Sequence, residues 1–90
     1  IRALADRYGF SILADSSHGV GATYQGEPIG SKFVDAAVFS FHAVKIVTTG
    51  EGGLVSTNDD RLAETIRLLR SHGITRDPAE MRHASPGGYY

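Results

Sequence analysis

Cysteine and tryptophan are missing from these 90 residues, and methionine occurs once. Without cysteine there is no disulfide framework and no thiolate metal site. No apolar run approaches the ~20 residues that a membrane-spanning helix needs. Neither sign of charge dominates. Nine basic residues face ten acidic ones, and the formal net charge is -1. That balance leaves no electrostatic footprint for nucleic acid or an anionic membrane. Secretory character is also lacking at the first residues, where Ile1–Arg7 alternate charged and apolar side chains. A cytoplasmic setting is the expectation. The chain does not begin with Met and stops at Gly87-Gly88-Tyr89-Tyr90 without a closing element, so it reads as an excerpt of a longer protein.

What is present fits an ordinary globular chain: 41% hydrophobic and 21% charged residues. Ninety residues suffice for one small domain, and such domains bury only ~60% of their unfolded surface. Ile1, Leu4 and Ala5 share a helical face, and Gly9 ends that helix. Phe10–Ala14 reads as a buried strand that ends at Asp15. Ser16–Gly30, rich in Gly, Ser and Thr, reads as loop or irregular helix. Ala36–Phe41 predicts a second buried strand. The glycines of Gly50-Glu51-Gly52-Gly53 suit a sharp reversal, and Leu54–Thr57 predicts a third strand. Asn58 or Asp59 is placed to cap a helix from about Asp60 to Ser71, with Leu62, Ile66 and Leu69 as its apolar stripe and Gly73 as its stop. From Ile74 onward the chain reads as irregular. The order predicts an α/β sheet covered by helices on both faces. Ligands of such sheets bind outside the carboxyl ends of the strands. Asp15, Ser40 and Lys45 fall at or just past two such ends.

Taken singly, these residues have ordinary uses. Lys45 sits between apolar neighbours in Phe39-Ser40-Phe41-His42-Ala43-Val44-Lys45-Ile46-Val47. Desolvation there would favour a neutral, nucleophilic amine. A surface lysine with its stem along apolar surface explains the pattern equally. Asp15 reads as a turn aspartate that accepts a backbone amide within Asp15-Ser16-Ser17, or as the partner of a cation. His18 suits stacking on a flat ring or a backbone bond. Ser40 suits a phosphate or a strand-end carbonyl, and His42 has the same ambiguity. Other constellations fail. Gly19-Val20-Gly21 lacks the third glycine of a dinucleotide fingerprint, with Tyr24 standing in its place. His18, His42, His72 and His83 lack metal spacing. Asp15, Ser40 and His42 have no nucleophile elbow around Ser40.

Read together, Ala14-Asp15-Ser16-Ser17-His18-Gly19-Val20-Gly21-Ala22 with Tyr24-Gln25-Gly26 and Ile29-Gly30 resembles the aspartate segment of the DegT/DnrJ/EryC1/StrS family. Val38–Gly53 resembles its lysine segment, and Arg67–Ile74 the helix that follows. The resemblance covers nearly the whole chain. It implies the aspartate-aminotransferase fold (PLP fold type I, a three-layer α/β/α domain), of which residues 1–90 form part of the large domain. It also implies an antiparallel third strand and pyridoxal 5'-phosphate (PLP) as cofactor. Under it, Asp15 binds the pyridine nitrogen, His18 stacks on the ring and Ser40 bonds the phosphate. Lys45 forms the internal aldimine and moves the proton. The implied reaction carries an amino group, usually from glutamate, to a nucleotide-linked keto sugar through pyridoxamine phosphate, in a homodimer. The phosphate-cradling glycine turn, the small C-terminal domain and the partner-subunit residues of the family are not in this chain. Activity is therefore implied for the longer protein rather than for these residues alone.

Within the family, the lysine segment and Ser71–Pro78 are similar to the branch that aminates a UDP-4-keto-6-deoxy amino sugar for pseudaminic acid. A lipid A 4-amino-arabinose branch has a close lysine segment. A sugar 3-aminotransferase, a PLP-binding regulatory relative and an inactive fragment stay open. Ala14 departs from the acid that many relatives carry. Lys45 argues against the dehydratase branch, which has histidine at that position.

Overall fold

A computed structural model describes residues 1–81. Helix α1 spans Arg2–Tyr8 and buries Ala5, while Ile1 and Leu4 of the same predicted face stay exposed. It stops at Gly9, whose φ of 70° is the left-handed conformation that only glycine adopts freely. The Gly9 N–H donates to the Ala5 carbonyl at 2.8 Å and closes the last turn.

Strand β1 is Leu13–Asp15, shorter than the run that predicted it. Ile12 falls outside because its N–H donates to the Asp35 carboxylate at 2.6 Å instead of to a neighbouring strand. The stretch expected to be loop contains a β-hairpin, β2 Thr23–Tyr24 and β3 Glu27–Pro28. Thr23 pairs with Pro28 and Tyr24 with Glu27, so Gln25-Gly26 is a two-residue turn. Both turn residues have positive φ, 52° and 78°, the requirement of a type I′ turn.

Strand β4, Ala36–Ser40, runs parallel to β1, with Asp15 opposite Val38. Strand β5, Gly53–Ser56, runs antiparallel to β4, with Ser40 opposite Gly53. The sheet order is β1-β4-β5, and the antiparallel third strand is the expected one. Burial is not as expected. Ala36 and Ala37 are the buried strand residues, whereas Leu13, Leu54 and Val55 are exposed. The described residues therefore do not close a core over both faces of the sheet.

Asp35 ties the parts of this unit together. Its carboxylate holds the Ile12 N–H and, at 3.1 Å, Arg2 of α1. Its carbonyl accepts from the Thr57 hydroxyl at 2.7 Å, just past β5. These bonds hold the Asp35 carboxyl below the usual range, the Ile12 amide more than the Arg2 guanidinium. Under the sheet, Gly30 (φ 85°) lies so close to Phe39 that a Cβ would sit 2.8 Å from its ring.

The chain divides at Asp59, and a second unit begins at Asp60. It opens with helix α2, Asp60–Arg70, which matches the predicted helix to within a residue. Leu62 and Ile66 of the predicted stripe are half-buried, and Leu69 is exposed. Both His72 (φ 60°) and Gly73 (φ 73°) are left-handed at its end, and the Gly73 N–H returns to the Leu68 carbonyl at 3.0 Å. Turns follow to Met81. The rest of the expected irregular segment, with His83 and the Gly87–Tyr90 end, lies outside the described residues. Among the described residues, no helix is long and apolar enough to cross a membrane.

Candidate functional site

Because β1 and β4 are parallel, their carboxyl ends share one edge of the sheet. Asp15 is the last residue of β1 and Ser40 the last of β4. The chain leaves β1 through a tight turn in which Ser16 is 7% exposed and its N–H donates to the Val38 carbonyl at 2.8 Å. This bond extends the ladder one residue past the strand and fixes where Asp15 stands.

The Asp15 carboxylate accepts the Ser17 N–H at 3.1 Å and the Ser17 hydroxyl at 2.6 Å. The Ser17 bonds hold the Asp15 carboxyl below the usual carboxylate value, with a smaller contribution from the nearby Lys45 and His18. The turn bond to backbone is thus real. Both contacts land on Oδ1, and among the described residues no hydrogen bond reaches Oδ2. One oxygen anchors an ionised carboxylate and the other is available as an acceptor.

From Ser40 the chain enters a loop that returns to β5. Its neck is closed by main-chain bonds: the Phe41 N–H donates to the Gly52 carbonyl at 2.8 Å, and the Thr49 N–H to the Phe41 carbonyl at 2.9 Å. Hydroxyls reinforce it, Thr48 donating to the Phe41 carbonyl and Thr49 to the Glu51 carbonyl. Gly52 has to lack a side chain, because a Cβ there would collide with the Thr49 hydroxyl. The loop bends at Lys45, whose N–H bonds the His42 carbonyl at 3.0 Å. Val44 and Ile46, expected to wrap Lys45 in apolar surroundings, are 77% and 69% exposed. Within this chain they point away and leave the lysine half-buried.

The Lys45 amine lies 2.7 Å from Nε2 of His18, although 27 positions separate the two. This pair brings the β1 and β4 ends together. The Ser40 hydroxyl accepts a long bond from the His42 N–H at 3.3 Å, and no acceptor for its own proton is seen among the described residues. His42 faces Glu51 at 3.7 Å, with both side chains well exposed, so that pair contributes little. Among the described residues, no cluster of His, Asp and Glu could hold a metal ion.

Asp15, Ser40 and Lys45 thus fall along one edge, where the sequence places them, and the contact with Lys45 adds His18. Sequence reasoning missed the Ser17 hydroxyl as the main partner of Asp15, although an Asp-x-Ser turn is a known signal for it. The Thr48 and Thr49 neck, and the Lys45–His18 contact, left no local signal.

Residues 1–89 match the profile of the DegT/DnrJ/EryC1/StrS aminotransferase family. The whole chain is 44% identical to MJ1066, an uncharacterised protein of Methanocaldococcus jannaschii, and spans 23% of it. PseC of Helicobacter pylori, an aminotransferase involved in the biosynthesis of pseudoaminic acid, is similar at TM-score 0.80 and 42% identity, over 96% of this chain and 23% of its own. DesI, solved in the presence of its TDP-sugar product, is similar at TM-score 0.77 and 37% identity, over 99% of this chain and 22% of its own. The α/β architecture is that of the fold type I aminotransferases. The chain spans less than a quarter of the length of each of these relatives.

Proposed function

The chain belongs to the DegT/DnrJ/EryC1/StrS aminotransferase family, and from that premise we propose that the full-length protein is a PLP-dependent aminotransferase acting on a nucleotide-linked keto sugar. The observation that carries this reading is the convergence of Asp15, His18, Ser40 and Lys45 on the carboxyl edge of β1 and β4. When bound, the cofactor supplies an aldehyde carbon to carry the amino group and a pyridinium ring to take up an electron pair.

The residues present fit that group. Asp15, held ionised by Ser17, would accept the N–H of a protonated pyridine nitrogen and keep that proton in place. The Ser40 hydroxyl would donate to a phosphate oxygen. The His18 ring offers a flat face beside Lys45. The Lys45 amine would be the nucleophile toward the aldehyde carbon and, once released, would carry a proton between the substrate carbon and the cofactor.

Similarity to PseC supports a finer version. In it the acceptor is a UDP-4-keto-6-deoxy amino sugar, as for the UDP-4-amino-4,6-dideoxy-N-acetyl-β-L-altrosamine transaminase. Glutamate donates the amino group, and a homodimer in the cytoplasm completes the site. Residues 1–90 are then one part of the large domain. The test is reduction of the full-length protein with borohydride in the presence of PLP, followed by peptide mass spectrometry. The cofactor mass on the Lys45 peptide is expected. Its absence there, or its presence on another lysine, sinks the reading.

A further inference from the structure

We infer that His18 has a second role besides offering its ring face: Nε2, on the ring edge, is the resting place of the Lys45 amine whenever that amine is not covalently engaged. The inference rests on the proposed function and deepens it.

The geometry is specific. A bond at Nε2 runs along the edge of the imidazole, so it leaves both ring faces open. Holding a lysine and stacking on a flat group are compatible in one side chain. The backbone of Lys45 is anchored by the closed loop neck and by the His42 carbonyl, whereas its neighbours Val44 and Ile46 are exposed and do not confine its stem. Something must therefore fix where the amine points, and among the described residues the 2.7 Å contact with His18 is the one bond its Nζ makes. Asp15 is close enough for its charge to feel both groups, but no hydrogen bond or ion pair joins it to the Lys45 amine among the described residues. With Nε2 as acceptor, the tautomer carries its proton on Nδ1 and receives an N–H from Lys45. The amine is thereby parked at the Asp15 end of the sheet. His18 acts here as a positioning residue, through Lys45.

Two substitutions separate edge from face. His18→Phe keeps an aromatic face and removes Nε2. His18→Gln removes the face and keeps a side-chain acceptor. The full-length protein, freed of cofactor, is treated with formaldehyde and cyanoborohydride, and methylation of Lys45 is followed by peptide mass spectrometry. An amine held at the ring edge reaches the added aldehyde only when it moves away from that position. Lys45 is expected to react about three- to tenfold faster in His18→Phe than in the unaltered protein, the range of one net hydrogen bond, and His18→Gln is expected to restore slow reaction. Affinity for PLP should divide the proteins differently, kept in His18→Phe and weakened in His18→Gln. Equal Lys45 reactivity in the unaltered and Phe proteins overturns the inference, as does a Gln variant that reacts like Phe. Borohydride trapping reports separately on the proposed function, so failure of either stays distinguishable.

Discussion

At the end of β1 the carboxylate of Asp15 is fixed by two bonds from Ser17, next to a turn whose Ser16 is buried. Beyond the end of β4 the amine of Lys45 hangs from a loop closed at its neck but lined by exposed Val44 and Ile46. One end of the site is held by two bonds from its own turn, and the other by a single contact with His18. The difference suits the division of labour. A group that holds a ring nitrogen has one task in one place, so preorganisation helps it. A group that attacks, departs and moves a proton needs several positions, and a fully packed lysine would lose them.

The contrast breaks first at Lys45. Lys45→Ala in the full-length protein is expected to lower amino transfer about a thousandfold or more, because nucleophile and proton carrier are lost together. A variant within tenfold of the unaltered rate ends the argument. Asp15→Asn tests the end held by two bonds. Its shape is kept and its charge removed, and a loss on the order of 10²–10³-fold in kcat is expected. Steady-state assays of both variants rank the two ends.

Ser17→Ala sharpens the comparison by loosening that end without deleting it. Ser17 is the main reason the Asp15 carboxyl lies low, so its removal lets that value rise toward the ordinary one. The acid limb of the pH–rate profile should move to higher pH, with a loss below about tenfold at neutral pH. An unmoved limb would show that Ser17 does not tune Asp15. The smallest effect is expected away from the site, at Asp35. Its folded value is depressed, so its contribution to stability is present above the unfolded value and lost as pH falls through the folded one. Asp35→Asn should flatten the fall of the unfolding midpoint between neutral and acid pH while leaving the neutral rate unchanged. Asp15 carries the same sign, so some slope persists.

Legibility followed the range of the forces. Helix α2 was readable because Leu62, Ile66 and Leu69 repeat at helical spacing, and β4 because its apolar run is continuous. The hairpin at Gln25-Gly26 was not, since its strands are two residues each and the signal is the left-handed backbone of a pair that reads as ordinary loop. The start of β1 depended on the carboxylate of Asp35, 23 positions away. Asp15 was legible because it ends a strand, whereas Lys45, in the loop past β4, stood out only through the motif that resembles the family. Of the two readings of the apolar neighbours of Lys45, the exposed Val44 and Ile46 match the surface one in this chain, because apolar neighbours in sequence guarantee apolar contacts only when something packs on them. The His18–Lys45 contact needed the parallel pairing of two strands to exist at all.

That pairing, Asp15 opposite Val38, has a consequence for how such a site can change over time. Spacing along the edge is set by the repeat of the peptide ladder and not by any side chain that does chemistry. Residues at the strand ends can be exchanged one by one while the distances between positions survive. A slip of one residue would turn Asp15 to the opposite face of the sheet and dismantle the arrangement in a single step. The edge works as a ruler with removable tools: it tolerates new tools more readily than a new scale.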